Sequence, residues 1–328
     1  MGATVRDVAK LAGVSTATVS RSFADPESVK ESTRERVFDA SRILNYSPNA
    51  IARAMAKQRT DRIAFLICKP HSSILDEFYA GICEGIMAES NRRDYQLLIS
   101  TEDDWMHTIT PGSKQIDGVI LGGYASLDTI HEFQRQNIPI VMVNNRISGV
   151  DFPYVLSDDE GGVRMAVDHL LERGHRRIAL LAGRFSPYIC STRYNAFVET
   201  LQHHSITIDS RYITLCDADI ESAAKAAEQI LRQKNPPTAI FGTNDVLAVG
   251  AYKAAVRLGL RIPEDVAIVG YDDSSLCEVC EPELTSIRIN RWEMGRKSVE
   301  VLTALLAGGE PPKEAFIIPT ERIVRGSS

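Results

Sequence analysis

Small polar and basic side chains recur within seven positions near the amino terminus, at the spacing of one short helix. Side chains of this kind can reach base edges and phosphates, which is how helix-turn-helix units read the major groove of DNA. A helix this short cannot bury itself, so its side chains stay free to point outward. This pattern favours DNA recognition over an ordinary helical hairpin. The residues are Ser15, Thr16, Ala17, Thr18 and Arg21.

Two predicted helices and a glycine turn position these side chains. Thr4 and Asp7 nearly match a capping box at the start of the first helix. Gly13 provides the left-handed residue that ends this helix, and Ser15 can cap the next one. The first helix has an apolar face with the spacing i, i+3, i+4 and i+7. That face consists of Val5, Val8, Ala9 and Ala12.

A third helix and a weaker helical segment follow. Residues 32–35 (Ser-Thr-Arg-Glu) form a capping box, which predicts a third helix that starts there and ends near Asn45. We interpret Phe23 as a core residue between the helices. Pro48 breaks the chain, and residues 49–57 contain good helix formers but almost no apolar stripe. Such a segment should be ordered only when something packs on it.

The charge is distributed unevenly along the chain. Net charge is −6 over 328 residues, yet residues 1–62 hold 11 Lys/Arg against 7 Asp/Glu. The basic amino-terminal part fits DNA binding despite the acidic whole. The small excess of positive charge predicts few phosphate contacts per protomer, so a second protomer must supply the remaining contacts. Because we find neither a signal peptide nor an 18-residue apolar stretch, we expect a cytoplasmic protein.

The six cysteines show no disulfide framework of the kind found in secreted chains. Cys277 and Cys280 form a C-x-x-C pair. A structural zinc site needs four ligands, and the sequence shows no second pair or nearby histidine. The pair also lacks a thioredoxin-like setting. We therefore predict no cofactor and no metal.

Residues 60–328 alternate between short apolar runs and helical patterns. Continuous apolar strands between helices predict parallel sheets covered on both faces. Two such sets in one chain suggest two Rossmann-like lobes. The predicted strands are 63–67, 96–99, 118–121, 140–143, 178–181, 212–215, 239–241 and 266–270. The predicted helices are 77–92, 163–172, 191–202, 222–232 and 246–258.

Polar residues follow several of these strands. The ligand site of an open parallel sheet lies at the carboxyl ends of its strands, so these residues are candidates for binding. Carboxylate, amide and guanidinium groups together suit a polyhydroxylated or heterocyclic solute. Each residue alone could equally be a helix cap or a loop ion pair. The candidates are Asn144, Asn145, Arg193, Asn244, Asp245, Asp272 and Asp273.

The patterns V-A-x-x-A-G-V-S-x-x-T-V-S-R and Y-x-P-N-x-x-A-R within residues 4–57 resemble the lac repressor (LacI/GalR) family of transcription regulators. The resemblance implies a three-helix headpiece and a hinge helix that folds only on operator DNA. A leucine of each hinge helix wedges into a base step, and Met55 stands at that position here. The implied DNA-contacting residues are Thr4, Ser15, Thr16, Ala17, Thr18, Arg21, Asn49, Arg53 and Met55.

The resemblance extends to the end of the chain, through the motifs at 174–183, 243–250, 270–273 and 284–287. Asn144 stands where an acid is common, which argues against a simple hexose as ligand. Between Ile99 and Asp117 the chain is too short for the helix that relatives carry, so we expect the first lobe to have lost most of it. The implied effector-contacting residues are Phe78, Tyr79, Asn144, Arg193, Asn244, Asp272 and Arg291.

We therefore predict an all-α helix-turn-helix headpiece joined to an α/β core of two Rossmann-like lobes, similar to periplasmic binding proteins. The headpiece covers residues 1–46, the hinge 47–59 and the core 60–328. Within the core, lobe 1 comprises about 60–157 and 291–318, and lobe 2 about 158–290 and 319–328.

The predicted function is sequence-specific DNA binding, most simply repression controlled by a sugar-like or nucleoside-like effector between the lobes. We expect a homodimer on a near-palindromic operator, because the chain has no appended heptad helix for a tetramer. One alternative is a solute-binding protein without a regulatory role. An enzyme is disfavoured, since we find no P-loop, no G-x-G-x-x-G after a strand and no nucleophile elbow.

Overall fold

The computed structural model describes residues 3–24, 26–46, 59–68, 77–108, 115–184, 186–312 and 314–328. The chain divides into two compact units. One comprises residues 1–63 and 110–117, and the other comprises residues 64–109 and 118–328. Within the described residues, no helix is long and apolar enough to cross a membrane.

In the described part of the first unit, three α-helices surround a small apolar core. They are α1 (Val5–Ala12), α2 (Thr16–Ala24) and α3 (Glu31–Ile43). The rings of Phe23 and Phe38 lie 5.2 Å apart beside this core, which confirms the interpretation of Phe23 as a packing residue. The core residues are Val8, Ala9, Ala12, Val19, Val37 and Ala40.

The ends of α1 and the start of α2 are formed as the sequence predicts. The Asp7 carboxylate accepts hydrogen bonds from the backbone N–H (2.9 Å) and hydroxyl (2.7 Å) of Thr4. Gly13 ends α1 with φ +65°, a conformation that costs glycine no Cβ clash. The Ser15 hydroxyl accepts from the backbone N–H of Thr18 at 3.1 Å and so caps α2.

The predicted capping box of α3 is wrong. The backbone carbonyl of Lys30 already accepts hydrogen bonds from Thr33 (2.9 Å) and Arg34 (3.0 Å), so the helix begins at Glu31. Ser32 therefore lies inside the first turn, and α3 has no side-chain cap. The predicted hinge helix over 49–57 lies outside the described residues.

Two six-stranded sheets form the second unit, as the alternating pattern predicts. The sheet of lobe 1 has the strand order β11 (Phe316–Ile318), β5 (Tyr154–Ser157), β4 (Ile140–Val143), β3 (Gly118–Gly123), β1 (Arg62–Cys68) and β2 (Gln96–Thr101). The sheet of lobe 2 has the strand order β12 (Thr320–Ile323), β10 (Thr285–Ile289), β9 (Ala267–Asp272), β8 (Ala239–Gly242), β6 (Ile178–Gly183) and β7 (Ile213–Cys216). Neighbouring strands are parallel in every pairing that the structure describes, except that β12 runs antiparallel to β10. The sheets are covered by helices, so their central strands are buried.

The strands of lobe 1 are β1 (Arg62–Cys68), β2 (Gln96–Thr101), β3 (Gly118–Gly123), β4 (Ile140–Val143), β5 (Tyr154–Ser157) and β11 (Phe316–Ile318). Its helices are α4 (Glu77–Arg92), α5 (Glu102–Thr108), α6 (Leu127–Arg135) and α11 (Arg291–Leu306). The strands of lobe 2 are β6 (Ile178–Gly183), β7 (Ile213–Cys216), β8 (Ala239–Gly242), β9 (Ala267–Asp272), β10 (Thr285–Ile289) and β12 (Thr320–Ile323). Its helices are α7 (Asp159–Glu172), α8 (Pro187–His203), α9 (Ile220–Leu231) and α10 (Asp245–Arg257).

Several elements were missing from the sequence prediction. Strands β5, β10, β11 and β12 have three to five residues each, and β5, β10 and β12 include polar side chains, unlike the equally short but wholly apolar β4. Helix α5 occupies the segment for which we predicted a lost helix, and it has only seven residues. Residues 109–114, which follow it, lie outside the described part of the chain.

Helices α4 and α11 pack closely because both carry a glycine at their crossing. A Cβ atom added to Gly85 would collide with the backbone carbonyl of Trp292, and one added to Gly295 would collide with that of Ile82. Only glycine permits backbones to approach this closely. This contact binds the carboxy-terminal helix α11 to lobe 1, after the chain has returned from β10 of lobe 2.

Candidate functional site

The carboxyl ends of the strands carry the polar residues that the sequence predicts as a binding site. Asn144 follows β4 in lobe 1, while Asn244 follows β8 and Asp272 ends β9 in lobe 2. Arg193 projects from α8, which follows β6. The parallel strands of both lobes thus place these groups at the strand ends, where parallel sheets bind ligands.

A buried guanidinium lies at the centre of this region. The side chain of Arg193 is only 4% exposed. Its Nε and Nη2 atoms lie 3.1 Å and 3.0 Å from Oδ1 of Asp159, and its Nη1 atom lies 3.5 Å from Oδ1 of Asp272. Nη1 also donates to the backbone carbonyl of Thr243, and the guanidinium stacks 3.9 Å above the ring of Tyr271. We call these five residues the Arg193 cluster.

The charges of the Arg193 cluster depend on one another. Burial acts to lower the pKa of Arg193, but the carboxylates of Asp159 and Asp272 outweigh it and raise this pKa above its ordinary value. Burial raises the pKa of Asp272 to about 7, although Arg193 acts in the opposite direction. The carboxylates of Asp245 and Asp159 add to the rise. Asp272 can therefore accept or donate a hydrogen bond near neutral pH.

The backbone has a positive φ at three of the predicted residues. Asp272 has φ +106°, Asp273 has φ +51° and Asn144 has φ +58°. Non-glycine residues adopt such angles only when their surroundings hold them there, and they concentrate at functional sites. At Asp273 the surroundings are visible, since its carboxylate pairs with Arg288 and Arg325 at 2.7 Å each.

The two asparagines after β4 have different roles. The Asn145 amide donates to the backbone carbonyl of Gly123 at 2.9 Å, and its oxygen accepts from the Ser186 hydroxyl at 3.0 Å. Because Gly123 is in lobe 1 and Ser186 caps α8, Asn145 links the lobes. The neighbouring side chain of Asn144 is buried and makes no hydrogen bond to another described residue.

Asn244 acts as a helix cap in this structure. Its side-chain oxygen accepts from the backbone N–H of Leu247 at 3.0 Å, which fixes the start of α10. The adjacent carboxylate of Asp245 is buried and accepts from the Ser286 hydroxyl (2.6 Å) and the backbone N–H of Ser274 (2.7 Å). Burial raises the pKa of Asp245. Both residues thus stabilise the loops that carry Asp272.

The remaining predicted effector residues lie on α4 and α11. The rings of Phe78 and Tyr79 meet edge to face, 5.4 Å apart, and Tyr79 is buried. Arg291 begins α11 and donates through Nη2 to the backbone carbonyl of Asp273 at 3.2 Å. Its Nη1 lies 3.6 Å from Oε1 of Glu77. Arg291 therefore contacts a neighbour of Asp272.

Sequence reasoning missed several members of the site. Asp159, Thr243, Tyr271, Ser186 and Tyr188 were absent from the predicted set. Burial and the nearby charge of Asp159 raise the pKa of Tyr188, which places its hydroxyl within the electrostatic reach of that carboxylate. Asp159 follows the missed strand β5, so identifying that strand would have identified this residue.

The predicted DNA-contacting side chains are largely accessible in the first unit. Thr4, Ser15, Thr16, Ala17 and Arg21 are exposed, and Thr18 is partly exposed. The hydroxyls of Ser15 and Thr18 hydrogen-bond to each other at 2.9 Å. Thus Ser15 already caps α2, while Thr16, Ala17 and Arg21 point outward from it. The predicted contacts Asn49, Arg53 and Met55 lie outside the described residues.

Residues 4–49 match the model of bacterial regulatory proteins, lacI family, and residues 167–328 match that of a periplasmic binding protein-like domain. The chain is 35% identical to the HTH-type transcriptional repressor CytR of Escherichia coli (strain K12), over 99% of this chain and 96% of that protein. The chain belongs to the lacI family. It is also 30% identical to the HTH-type transcriptional repressor PurR of Vibrio vulnificus (strain CMCP6), over 98% of each chain.

Solved structures confirm the fold class of this lacI-family regulator. The lac repressor dimer bound to operator and the anti-inducer ONPF has a TM-score of 0.83 and 26% identity, covering 100% of this chain and 99% of that one. A complex of the transcriptional regulator CelR with cellobiose has a TM-score of 0.75 and 30% identity, and the match covers 99% of this chain and 100% of that one. Because both likenesses include the headpiece, the chain is a DNA-binding regulator and not a bare solute-binding protein.

The C-x-x-C pair of the regulator is buried in lobe 2. Burial is the main cause that raises the pKa of Cys277 and of Cys280, and Asp245 adds to both shifts. Both groups therefore remain thiols near neutral pH, which lowers their reactivity. Among the described residues, no three His, Cys, Asp or Glu side chains are grouped so that they could hold a metal ion.

Asp272 should give this lacI-family protein a pH-dependent stability. Its folded pKa of about 7 exceeds the ordinary value of 3.8, so the folded state retains a proton that the unfolded state has lost between these values. The stability linked to this group is therefore greatest at low pH and is lost as the pH rises through the folded pKa. We expect the melting temperature of wild type relative to Asp272→Asn to fall between about pH 4 and pH 7. A difference that does not vary with pH would show that the carboxylate is ionised throughout.

Proposed function

We propose that this regulator is a repressor whose operator affinity is set by a small solute bound between its two lobes. The observation that supports this most is the Arg193 cluster, a buried guanidinium held by two carboxylates at the strand ends. Buried charge of this kind is costly and recurs at functional sites. The relatives CytR and PurR are repressors, which supports repression as the outcome.

The chemistry of the site favours a sugar-like or nucleoside-like effector. Asp272 can accept a hydrogen bond from a hydroxyl or ring N–H, while the buried amide of Asn144 can both donate and accept. The aromatic side chains of Phe78 and Tyr79 can cover an apolar ring face. Arg193, Asn244 and Arg291 complete the proposed contacts, although each also bonds to the protein. Ligand binding alone accounts for this set of side chains, so we propose neither a cofactor nor an enzymatic reaction.

We further propose that two copies of the chain bind one near-palindromic operator in the cytoplasm. The exposed side chains of Thr16, Ala17 and Arg21 would read the major groove. The predicted hinge, residues 47–59, would place Met55 in the minor groove between its two copies. In this proposal the headpiece comprises residues 1–46 and the core residues 60–328, with the lobe boundaries given above.

Arg21→Ala should weaken binding to an operator selected from random DNA duplexes by the purified protein. Loss of one base or phosphate contact costs about 1–3 kcal/mol, so we expect roughly a 5- to 150-fold higher Kd in fluorescence anisotropy. Arg42→Ala is the matched control, because Arg42 is also exposed on the first unit but pairs with Asp39 at 2.7 Å. If Arg21→Ala and Arg42→Ala bind the operator with the same Kd, Arg21 does not contact the DNA.

The effector site can be tested by thermal shift with sugars, sugar phosphates, nucleosides and purines. A ligand at about 100 times its Kd adds roughly 2.7 kcal/mol to the stability of the folded state. Arg193→Lys keeps a positive charge beside the carboxylates of Asp159 and Asp272 but lacks the planar guanidinium with its two parallel donors. It should therefore abolish the rise in melting temperature that the effector causes. Arg211→Lys is the control, since Arg211 pairs with Asp209 on the surface. An unchanged shift in Arg193→Lys would place the effector elsewhere.

A further inference from the structure

An ion-paired carboxylate joins the two lobes outside the Arg193 cluster. Glu77, the first residue of α4 in lobe 1, accepts hydrogen bonds from the backbone N–H (3.0 Å) and the hydroxyl (2.7 Å) of Ser275 in lobe 2. The guanidinium of Arg291, where the chain enters α11, lies 3.6 Å from the same carboxylate. One side chain thus connects both lobes and one of the chain segments that cross between them.

The contact to Ser275 lies three residues from the proposed effector site. Asp272 belongs to the Arg193 cluster, and the chain from Asp272 to Ser275 includes the two strained residues Asp272 and Asp273. Hydrogen bonds and ion pairs hold the segment between these ends. Asp273 pairs with Arg288 and Arg325, and the backbone N–H of Ser274 donates to Asp245. The segment from Asp272 to Ser275 is therefore anchored and is not a loose loop.

The strength of this contact suits a regulated equilibrium. Glu77 is 49% exposed, so solvent weakens its ion pair with Arg291. Its hydrogen bonds with Ser275 are charge-assisted and have good geometry, which makes them stronger than neutral ones. Two lobe arrangements that differ by only a few kcal/mol are shifted by a contact of this modest size. A much stronger contact would fix one arrangement.

We propose that Glu77 is a positioning residue, through which lobe 1 responds to the state of the Arg193–Asp272 site. The inference rests on the proposed function and assigns its regulation to a particular contact. When Glu77 holds Ser275, the two lobes keep the arrangement seen here. When a solute shifts Asp272, Ser275 leaves Glu77 and the lobe angle changes.

The first test measures the contact itself. Hydrogen–deuterium exchange resolved to single residues reports the backbone N–H of Ser275, which Glu77 protects. In Glu77→Ala we expect exchange of this N–H to accelerate at least about tenfold. Glu84→Ala is the matched control, an exposed glutamate two turns further along α4. Unchanged protection of Ser275 in Glu77→Ala would overturn the inference.

The second test measures the consequence for DNA. With the operator selected above and no effector added, Glu77→Ala should change the Kd at least about threefold, and Glu84→Ala less than about twofold. If the Ser275 N–H loses protection while the Kd stays unchanged, the contact exists but does not control DNA binding, and the inference is wrong. The proposed function would survive that result. If the protein selects no operator from random duplexes, the proposed function and the inference about Glu77 both fail.

A double-mutant cycle separates the contact from other effects of Glu77. Glu77 also favours the amino-terminal end of α4 electrostatically, and its removal could alter stability for that reason alone. Ser275→Ala removes the hydroxyl partner but leaves that interaction intact. If the pair acts through its contact, Ser275→Ala changes the Kd in the same direction and adds nothing in the Glu77→Ala background. Additive effects would contradict the proposal. Should Glu77→Ala fail to fold, Ser275→Ala alone tests whether the contact changes the operator Kd.

Discussion

The buried guanidinium of Arg193 is the interaction on which the core depends. Without it, the buried carboxylate of Asp159 would lose its cationic partner, and the pKa of Asp272, which burial already raises to about 7, would rise further. With it, α7, α8 and β9 converge on one point at the strand ends. The ring of Tyr271 closes one face of the guanidinium. The cluster therefore organises lobe 2 and at the same time provides polar groups for a ligand.

Two kinds of contact extend from this point towards lobe 1. Asn145 connects Gly123 with Ser186 through buried hydrogen bonds, and Glu77 connects with Ser275 through exposed ones. The buried contact is the more permanent, because an unsatisfied buried amide costs more than an exposed carboxylate that water can solvate. In our proposal a solute changes the exposed contact. The coupling between solute binding and the arrangement of the lobes then depends on a few hydrogen bonds.

Much of this architecture could be predicted from the sequence. Gly13, Ser15 and the apolar spacing of α1 defined the DNA-reading helices, because their rules are local. The predicted strands of both lobes were continuous apolar runs. Strand β5 was missed, and Asp159 with it, because its four residues (Tyr-Val-Leu-Ser) include a polar one, whereas the equally short β4 (Ile-Val-Met-Val) is wholly apolar. The capping box at 32–35 failed because the helix is capped at Lys30, two residues before Ser32, which only the backbone reveals.

The candidate site was harder to predict than the fold. The order of polar residues after the strands indicated Arg193 and Asp272, yet it could not show that they contact each other. It also could not show that Asn244 serves as a helix cap, because capping and ligand binding favour the same residue types. The contact between Glu77 and Ser275 joins residues 198 positions apart. No sequence pattern predicts a pair of that separation.

The central claim is that the solute site and the operator site are energetically coupled. The most direct measurement is calorimetric titration of the effector, identified by thermal shift, into free protein and into the protein–operator complex. Linkage requires the effector Kd to change by the same factor by which a saturating effector changes the operator Kd, and we expect about 5- to 150-fold. Equal effector Kd values in the two titrations would contradict the account, because the solute would then bind without influencing DNA.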